Sequence, residues 1–197
     1  SADGTEERRF ELGDGIEHIK IDEEGRIWVG WFDEGVFGND AWRLPGLKWA
    51  PSAHGIAAFD DRGALLMHAT LQSIADCYAL NVIGAEAWAC TYTDFPLWQM
   101  NNGAERIWRT DLTGTRAIAV KHPHVLAAGG YQENANRVVL LRLHERAAET
   151  LGEWRLPFEA GFPAQVSLID GRGDELHVVH EQEWHRWRVS EFVRACE

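Results

Sequence analysis

The chain has 197 residues, of which 45% are hydrophobic and 25% charged, a balance that suits a folded domain and argues against disorder. Acidic residues outnumber basic ones 31 to 19, for a net charge of −12. The basic residues are scattered, so a surface gripping phosphate backbones is excluded and no nucleic-acid partner is expected. No apolar run approaches the roughly 18 residues that cross a bilayer, and no membrane partner is expected. The three cysteines, Cys77, Cys90 and Cys196, lack paired metal-ligand spacing, and Ser1 to Glu6 lack the layout of a secretion signal. Reduced thiols in a cytoplasmic protein are the simplest expectation.

In chain order, short apolar or alternating runs predict strands at Ile16–Ile21, Arg26–Phe32, Gly55–Phe59 and Ala64–His68. Further strands are expected at Cys77–Val82, Ala87–Tyr92, Arg106–Arg109, Arg116–Val120, His124–Ala128 and Arg137–Leu143. The last runs are Glu153–Leu156, Gln165–Ile169, Glu175–His180 and Trp184–Val189. Turns such as Asp22-Glu23-Glu24-Gly25 and Asp60-Asp61-Arg62-Gly63 separate them, with an acidic first corner and a final Gly that takes positive φ without strain. His144–Leu151 is the one stretch that could pass for a helical turn, and it reads as a hairpin tip. The class is all-β.

A repeat organises these strands. The hairpin Asp22 to Gly30, ending in Trp28, is echoed by Gly84 to Cys90 around Trp88, and Ala57 to Ala64 is echoed by Trp108 to Thr115. A period of roughly 40 to 60 residues with four strands per unit is the arithmetic of a β-propeller. About four blades of four-stranded antiparallel sheet are expected, over about 16–68, 76–111 (with a weak or missing outer strand), 116–156 and 165–189, within one domain covering 1–197. Residues 8–12 read as an orphan outer strand. Either it completes the last blade, or the chain is the C-terminal part of a larger ring whose open edges a partner chain or a second copy would cover.

The segment Ile21-Asp22-Glu23-Glu24-Gly25-Arg26-Ile27-Trp28-Val29-Gly30 resembles the repeat of bacterial propellers of the two-component-sensor and streptogramin-lyase type. More specifically, 31–39, 76–82 and 88–96 resemble an uncharacterised bacterial β-propeller family whose members are usually longer at the N-terminus. The resemblance implies a propeller and supplies no chemistry.

In a propeller, the start of each innermost strand and the end of the second strand meet at one mouth of the central channel. Here those places supply Asp14, His18, Asp76 and Arg116, and Asp33, Glu34, Asp94, Tyr131, His180 and Glu181. All but Glu181 are the candidate ligand-binding residues. Asp33, Glu34 and Asp76 are the candidates for a hard cation such as Ca²⁺ or Mg²⁺, which needs several oxygen ligands; the simpler expectation is no cofactor, with acidic groups solvating turns. The connection from about Asp33 to His54 is long and apolar, with Trp42 and Trp49 as candidate lid residues or as a structural cover. No nucleophile elbow or phosphate-cradling glycine motif is present.

Three functions compete. The first is a non-catalytic propeller binding a small molecule or protein at the channel mouth. The second, implied by the lyase-type resemblance, is a metal-assisted lyase or hydrolase with His18 or His180 as general base, as in streptogramin-lyase and gluconolactonase propellers. The third is an architectural module of a larger assembly.

Overall fold

A computed structural model describes residues 8–42, 44–157 and 166–196. The first antiparallel meander comprises β1 (Ile16–Ile21), β2 (Ile27–Trp31), β3 (Ile56–Phe59) and β4 (Leu65–His68), with α1 (Asp33–Gly38) between β2 and β3. The second comprises β5 (Asp76–Ile83), β6 (Glu86–Tyr92), β7 (Leu97–Asn101) and β8 (Ala104–Trp108). The third comprises β9 (Ala117–Lys121), β10 (His124–Ala128), β11 (Arg137–Leu143) and β12 (Ala148–Arg155). Among the described residues the fourth has three strands, β13 (Val166–Arg172), β14 (Glu175–His180) and β15 (Glu183–Arg188), followed by α2 (Val189–Cys196). These sheets are the blades of a β-propeller, and β1, β5, β9 and β13 are the strands nearest its axis.

Local chemistry explains why the Asp-Glu-Glu-Gly-Arg-Ile-Trp stretch nucleates a blade. The buried Asp22 carboxylate accepts hydrogen bonds from the backbone N–H of Glu24 and Arg26, from Arg26 Nε at 2.6 Å and from Trp28 Nε1 at 2.8 Å. Burial alone would raise its pKa; the Trp28 and Arg26 donors outweigh that and lower it. One side chain thus closes the turn and fixes the first tryptophan of the core.

Apolar packing joins consecutive blades. Trp28, Ile56 and Ala58 of the first blade meet Leu80, Ala89 and Trp98 of the second. Trp88, Leu97 and Trp108 of the second meet Val120, Val125 and Leu141 of the third. Ala119, Leu126 and Leu140 of the third meet Leu176 and Val178 of the fourth and Val189 of α2. A middle strand enclosed on both faces has no reason to alternate, and β3 and β7 are buried almost throughout.

That burial accounts for one correction. Leu97–Asn101 carries no alternation and was not expected as a strand, yet it forms β7 and pairs with β6 and β8, so the second blade has its full set of four strands. A second correction concerns residues 8–12, which form no strand. Arg8 is ion-paired with Asp61, Phe10 lies against Gly63, and the Leu12 carbonyl accepts Trp31 Nε1 at 3.0 Å. The segment therefore lies along the first blade instead of completing the last. A third is α2: Val189, Phe192, Val193 and Cys196 recur at helical spacing, and Phe192 packs edge-on against Trp154 with ring centroids 4.9 Å apart. His144–Ala147 does form the turn of the β11–β12 hairpin.

At one end of the axis the strands close on each other. The buried Asn81 on β5 donates to the Ile118 carbonyl at 3.0 Å and the Gly173 carbonyl at 2.8 Å, and accepts from Gly173 N–H at 2.9 Å. Gly171 on β13 passes so near the Ile118 carbonyl that a Cβ would collide with it. Lys20 on β1 pairs with Asp170 on β13. These contacts tie the second, third and fourth blades together beside a cavity of about 460 Å³ that Ile21, Glu23, Val82, Gly84, Gly173 and Glu175 help to line, while the opposite end holds the groups considered next.

Candidate functional site

Three of the four inner strands begin with a register shift: between Ile16 and His18 in β1, between Cys77 and Ala79 in β5, and between Val166 and Leu168 in β13. A bulge adds a residue to one strand and re-aims the side chain there. In β1 that extra residue is Glu17 and in β5 it is Tyr78, so neither follows the alternation that a regular strand imposes.

Tyr78 is the hub of the rim. Its hydroxyl lies 2.6 Å from that of Tyr131, its ring meets Phe95 edge-on at 5.1 Å between centroids, and the Arg116 guanidinium sits 4.7 Å from its centroid. Tyr92 and Tyr131 also pack on Phe95, at 5.6 and 5.9 Å. Phe95 is buried, whereas Tyr92 and Tyr131 remain 41% and 42% exposed and offer ring faces to solvent. Tyr131 follows Gly129, whose φ of +96° turns the chain out of β10, and Arg116 immediately precedes β9. Burial of Tyr78 and its bond to Tyr131 push its phenol pKa up.

Asp76, which opens β5, is the electrostatic centre. Burial is the largest cause of a pKa raised from 3.8 to about 6, the carboxylates of Asp33 and Glu17 add to it, and Arg116 offsets part. His18, on β1, is held below its ordinary value by burial, against the pull of Glu17 and of a hydrogen bond with the Tyr78 backbone. Its Nε2 is buried without a hydrogen-bond partner. Asp76, Asp33, Arg116, Tyr131 and His18 therefore share one neighbourhood, although they come from three blades.

For the other expected positions the described features are local ones. Asp14 serves a turn: its carboxylate accepts Gly15 N–H, while its own backbone exchanges hydrogen bonds with the Asn39 side chain. Glu34 is exposed in the first turn of α1, where its N–H donates to the Asp33 side chain. Asp94 is exposed in the turn between β6 and β7. His180 ends β14 opposite Val166, with Glu181 next in the turn, on the fourth blade. Trp42 packs on Trp31 and Phe59, with centroids 6.1 and 6.3 Å away, so it covers a face of the first blade. Trp49 is exposed, with Lys48 Nζ 4.8 Å from its ring centroid. Among the described residues no group of three or more His, Cys, Asp or Glu side chains is arranged to hold a metal ion.

Glu17, Tyr78, Tyr92 and Phe95 belong to the rim and escaped the sequence reading. The available signal was the aromatic content of 76–95, a run that also serves the blade-to-blade core.

The fold and rim define a β-propeller with four blades whose inner strands are tied by Asn81 at one end and lined by acid and tyrosine at the other. Among solved structures, the chain is similar to Hsv2 of Kluyveromyces lactis, with a TM-score of 0.54 and 10% identity over 95% of this chain and 52% of that one. It is also similar to a streptogramin B lyase (TM-score 0.49, 10% identity, 88% of this chain and 54% of that one). A third is the extracellular domain of the one-component system BT4673 of B. thetaiotaomicron (TM-score 0.46, 15% identity, 93% of this chain and 22% of that one). The chain thus spans about half the length of the first two. Propellers of the sensor and streptogramin-lyase kinds, which the repeat resembles, are both among these matches, and at such identities the likeness concerns the fold alone. No protein-family model matches the chain, and no curated protein does. No described helix is long and apolar enough to cross a membrane.

Proposed function

We propose that this propeller is a binding module that takes a small molecule, or a segment of a protein partner, at the rim around Asp76 and carries out no reaction on it. One observation carries the reading: a carboxyl held near pKa 6 by burial and by Asp33 and Glu17 lacks full compensation within the chain. A positively charged group entering there would supply the missing countercharge, and the ring faces of Tyr92 and Tyr131 would add cation–π attraction. Among the described residues no group of three or more His, Cys, Asp or Glu side chains is arranged to hold an ion, and the binding reading is preferred here to the metal-assisted lyase or hydrolase.

Ligand-observed NMR with agmatine, choline and arginine methyl ester tests it. At about neutral pH at least one amine binds, Asp76→Asn weakens it about tenfold, and affinity falls as acid protonates Asp76 near 6. Equal binding by the variant, or no binding by either protein, overturns the assignment.

A further inference from the structure

Away from the rim, like charges meet in one row of the third blade. Lys121 at the end of β9 stands directly opposite His124 at the start of β10, and His124 stands directly opposite Arg142 on β11. Residues paired in this way point to one face with Cβ atoms about 5 Å apart, and like charges there destabilise a sheet. Alternation sets the face. Ala117 and Ala119 on β9, Leu126 and Ala128 on β10, and Val138 and Leu140 on β11 share a core with Leu176 and Val178 of the fourth blade and Val189 of α2. Lys121, His124 and Arg142 each lie an even number of residues from these, so all three project on the side where α2 packs.

Helix α2 turns that row into a pocket. Its Ser190, Val193 and Arg194 line a cavity of about 280 Å³ together with Lys121, His122 and His124. Such a volume is at the small end of ligand sites and suits one compact group. The neighbours feel each other's charge: burial first, then Arg142 and His122, hold the His124 imidazole below its ordinary value. Acidic residues outnumber basic ones 31 to 19 in the chain, yet among the described residues no ion pair involves Lys121, Arg142 or Arg194. Glu149, opposite Arg142 on β12, has its Oε2 2.9 Å from His144 Nε2.

We infer that this corner between the third blade and α2 is an anion site, and that its ligand is a small molecule carrying a phosphate monoester or diphosphate group. Three permanent positive charges exceed what one carboxylate neutralises, whereas a phosphate monoester brings nearly two negative charges and three strong acceptor oxygens. The guanidinium groups of Arg142 and Arg194 can pair with such oxygens bidentately, the Lys121 ammonium adds a point charge, and the Ser190 hydroxyl and a His124 ring N–H are further donors. Lys121, His124, Arg142 and Arg194 are scattered in the sequence, and the fold gathers them into one small cluster. That cluster fits a single phosphorylated group and is no track for a nucleic-acid backbone. The rim at Asp76 plays no part in this inference.

Isothermal titration of the full chain near neutral pH, in about 50 mM salt so that screening stays modest, is the test. Pyrophosphate and glycerol 3-phosphate are the probes, one for the free ion and one for an ester, and acetate is the control. At least one phosphate is expected to bind, with acetate giving no heat. Arg142→Gln and Lys121→Gln should each weaken binding about tenfold. Arg62→Gln, in an exposed turn of the first blade, should leave it unchanged. Lys121 and Arg142 are exposed, so their removal spares the core. Thermal melts give an independent reading: the bound phosphate should raise the melting temperature of the wild type more than that of Arg142→Gln. Without ligand, Arg142→Gln should melt no lower than the wild type, because a like-charge contact has gone. No binding of either phosphate, equal affinity in the wild type and both variants, or the same loss in Arg62→Gln overturns the proposal.

Discussion

The two ends of the propeller axis are built from the same inner strands and differ in how completely their polar groups are satisfied. At one end, Asn81 uses both of its side-chain donor and acceptor functions on Ile118 and Gly173, and Gly171 lets β13 touch β9. At the rim, Asp76 is held near pKa 6 beside other carboxylates, and His18 Nε2 is buried without a partner. The Asn81 side chain spends its polar groups on neighbouring strands. The rim leaves His18 Nε2 without a partner and Asp76 beside like charges, which supports the binding proposal.

Three substitutions sharpen that contrast, beginning with the largest. Gly171→Ala forces a methyl group into the Ile118 backbone, where no flexible side chain can yield, so a loss of about 3 kcal/mol or more is expected in a denaturant melt. A loss below about 1 kcal/mol would show that β13 and β9 can separate freely there.

Asn81→Ala comes next. It strands the Ile118 carbonyl and the Gly173 N–H, although the Gly173 carbonyl keeps the Val120 N–H at 2.8 Å. A destabilisation of about 2 to 3 kcal/mol should follow, with no change in amine binding at the rim. Weaker binding in this variant would mean that the two ends are coupled.

Asp76→Asn is the smallest and has the opposite sign. With a pKa of about 6 in the folded chain against an ordinary 3.8, the native state holds more protons than the unfolded one between those values. Stability contributed by Asp76 is therefore full below that window and lost as pH rises through it. Removing the charge should stabilise the protein by about 1 kcal/mol at neutral pH, after allowance for solvent screening, with the gain fading below about pH 4. Differential scanning calorimetry across that range checks both the sign and the window; a destabilised variant at neutral pH would place Asp76 among satisfied structural carboxylates.

Much of the architecture was legible in the residues because strand length, turn chemistry and repeat spacing are local properties. Asp22 and Gly25 mark their turn whatever surrounds it, and the recurrence of Trp28 and Trp88 in equivalent hairpins exposes the repeat. Where legibility failed, a non-local cause intervened. β7 lost its alternation because both its faces are buried, and α2 was concealed by following a strand of the expected kind. Convergence of Asp33, Asp76, Arg116 and Tyr131 could be anticipated from propeller topology, whereas Glu17 and Tyr78 could not, because bulges changed their direction.

By itself, then, the sequence determined the all-β class and a repeat of about four blades, since each follows from short-range pattern. Only the tertiary structure decided which strands Asn81 ties together and which carboxyl of the rim is pushed towards neutrality. Those outcomes depend on how faces from distant blades meet, and contact between such faces leaves no periodic trace in the chain that forms it.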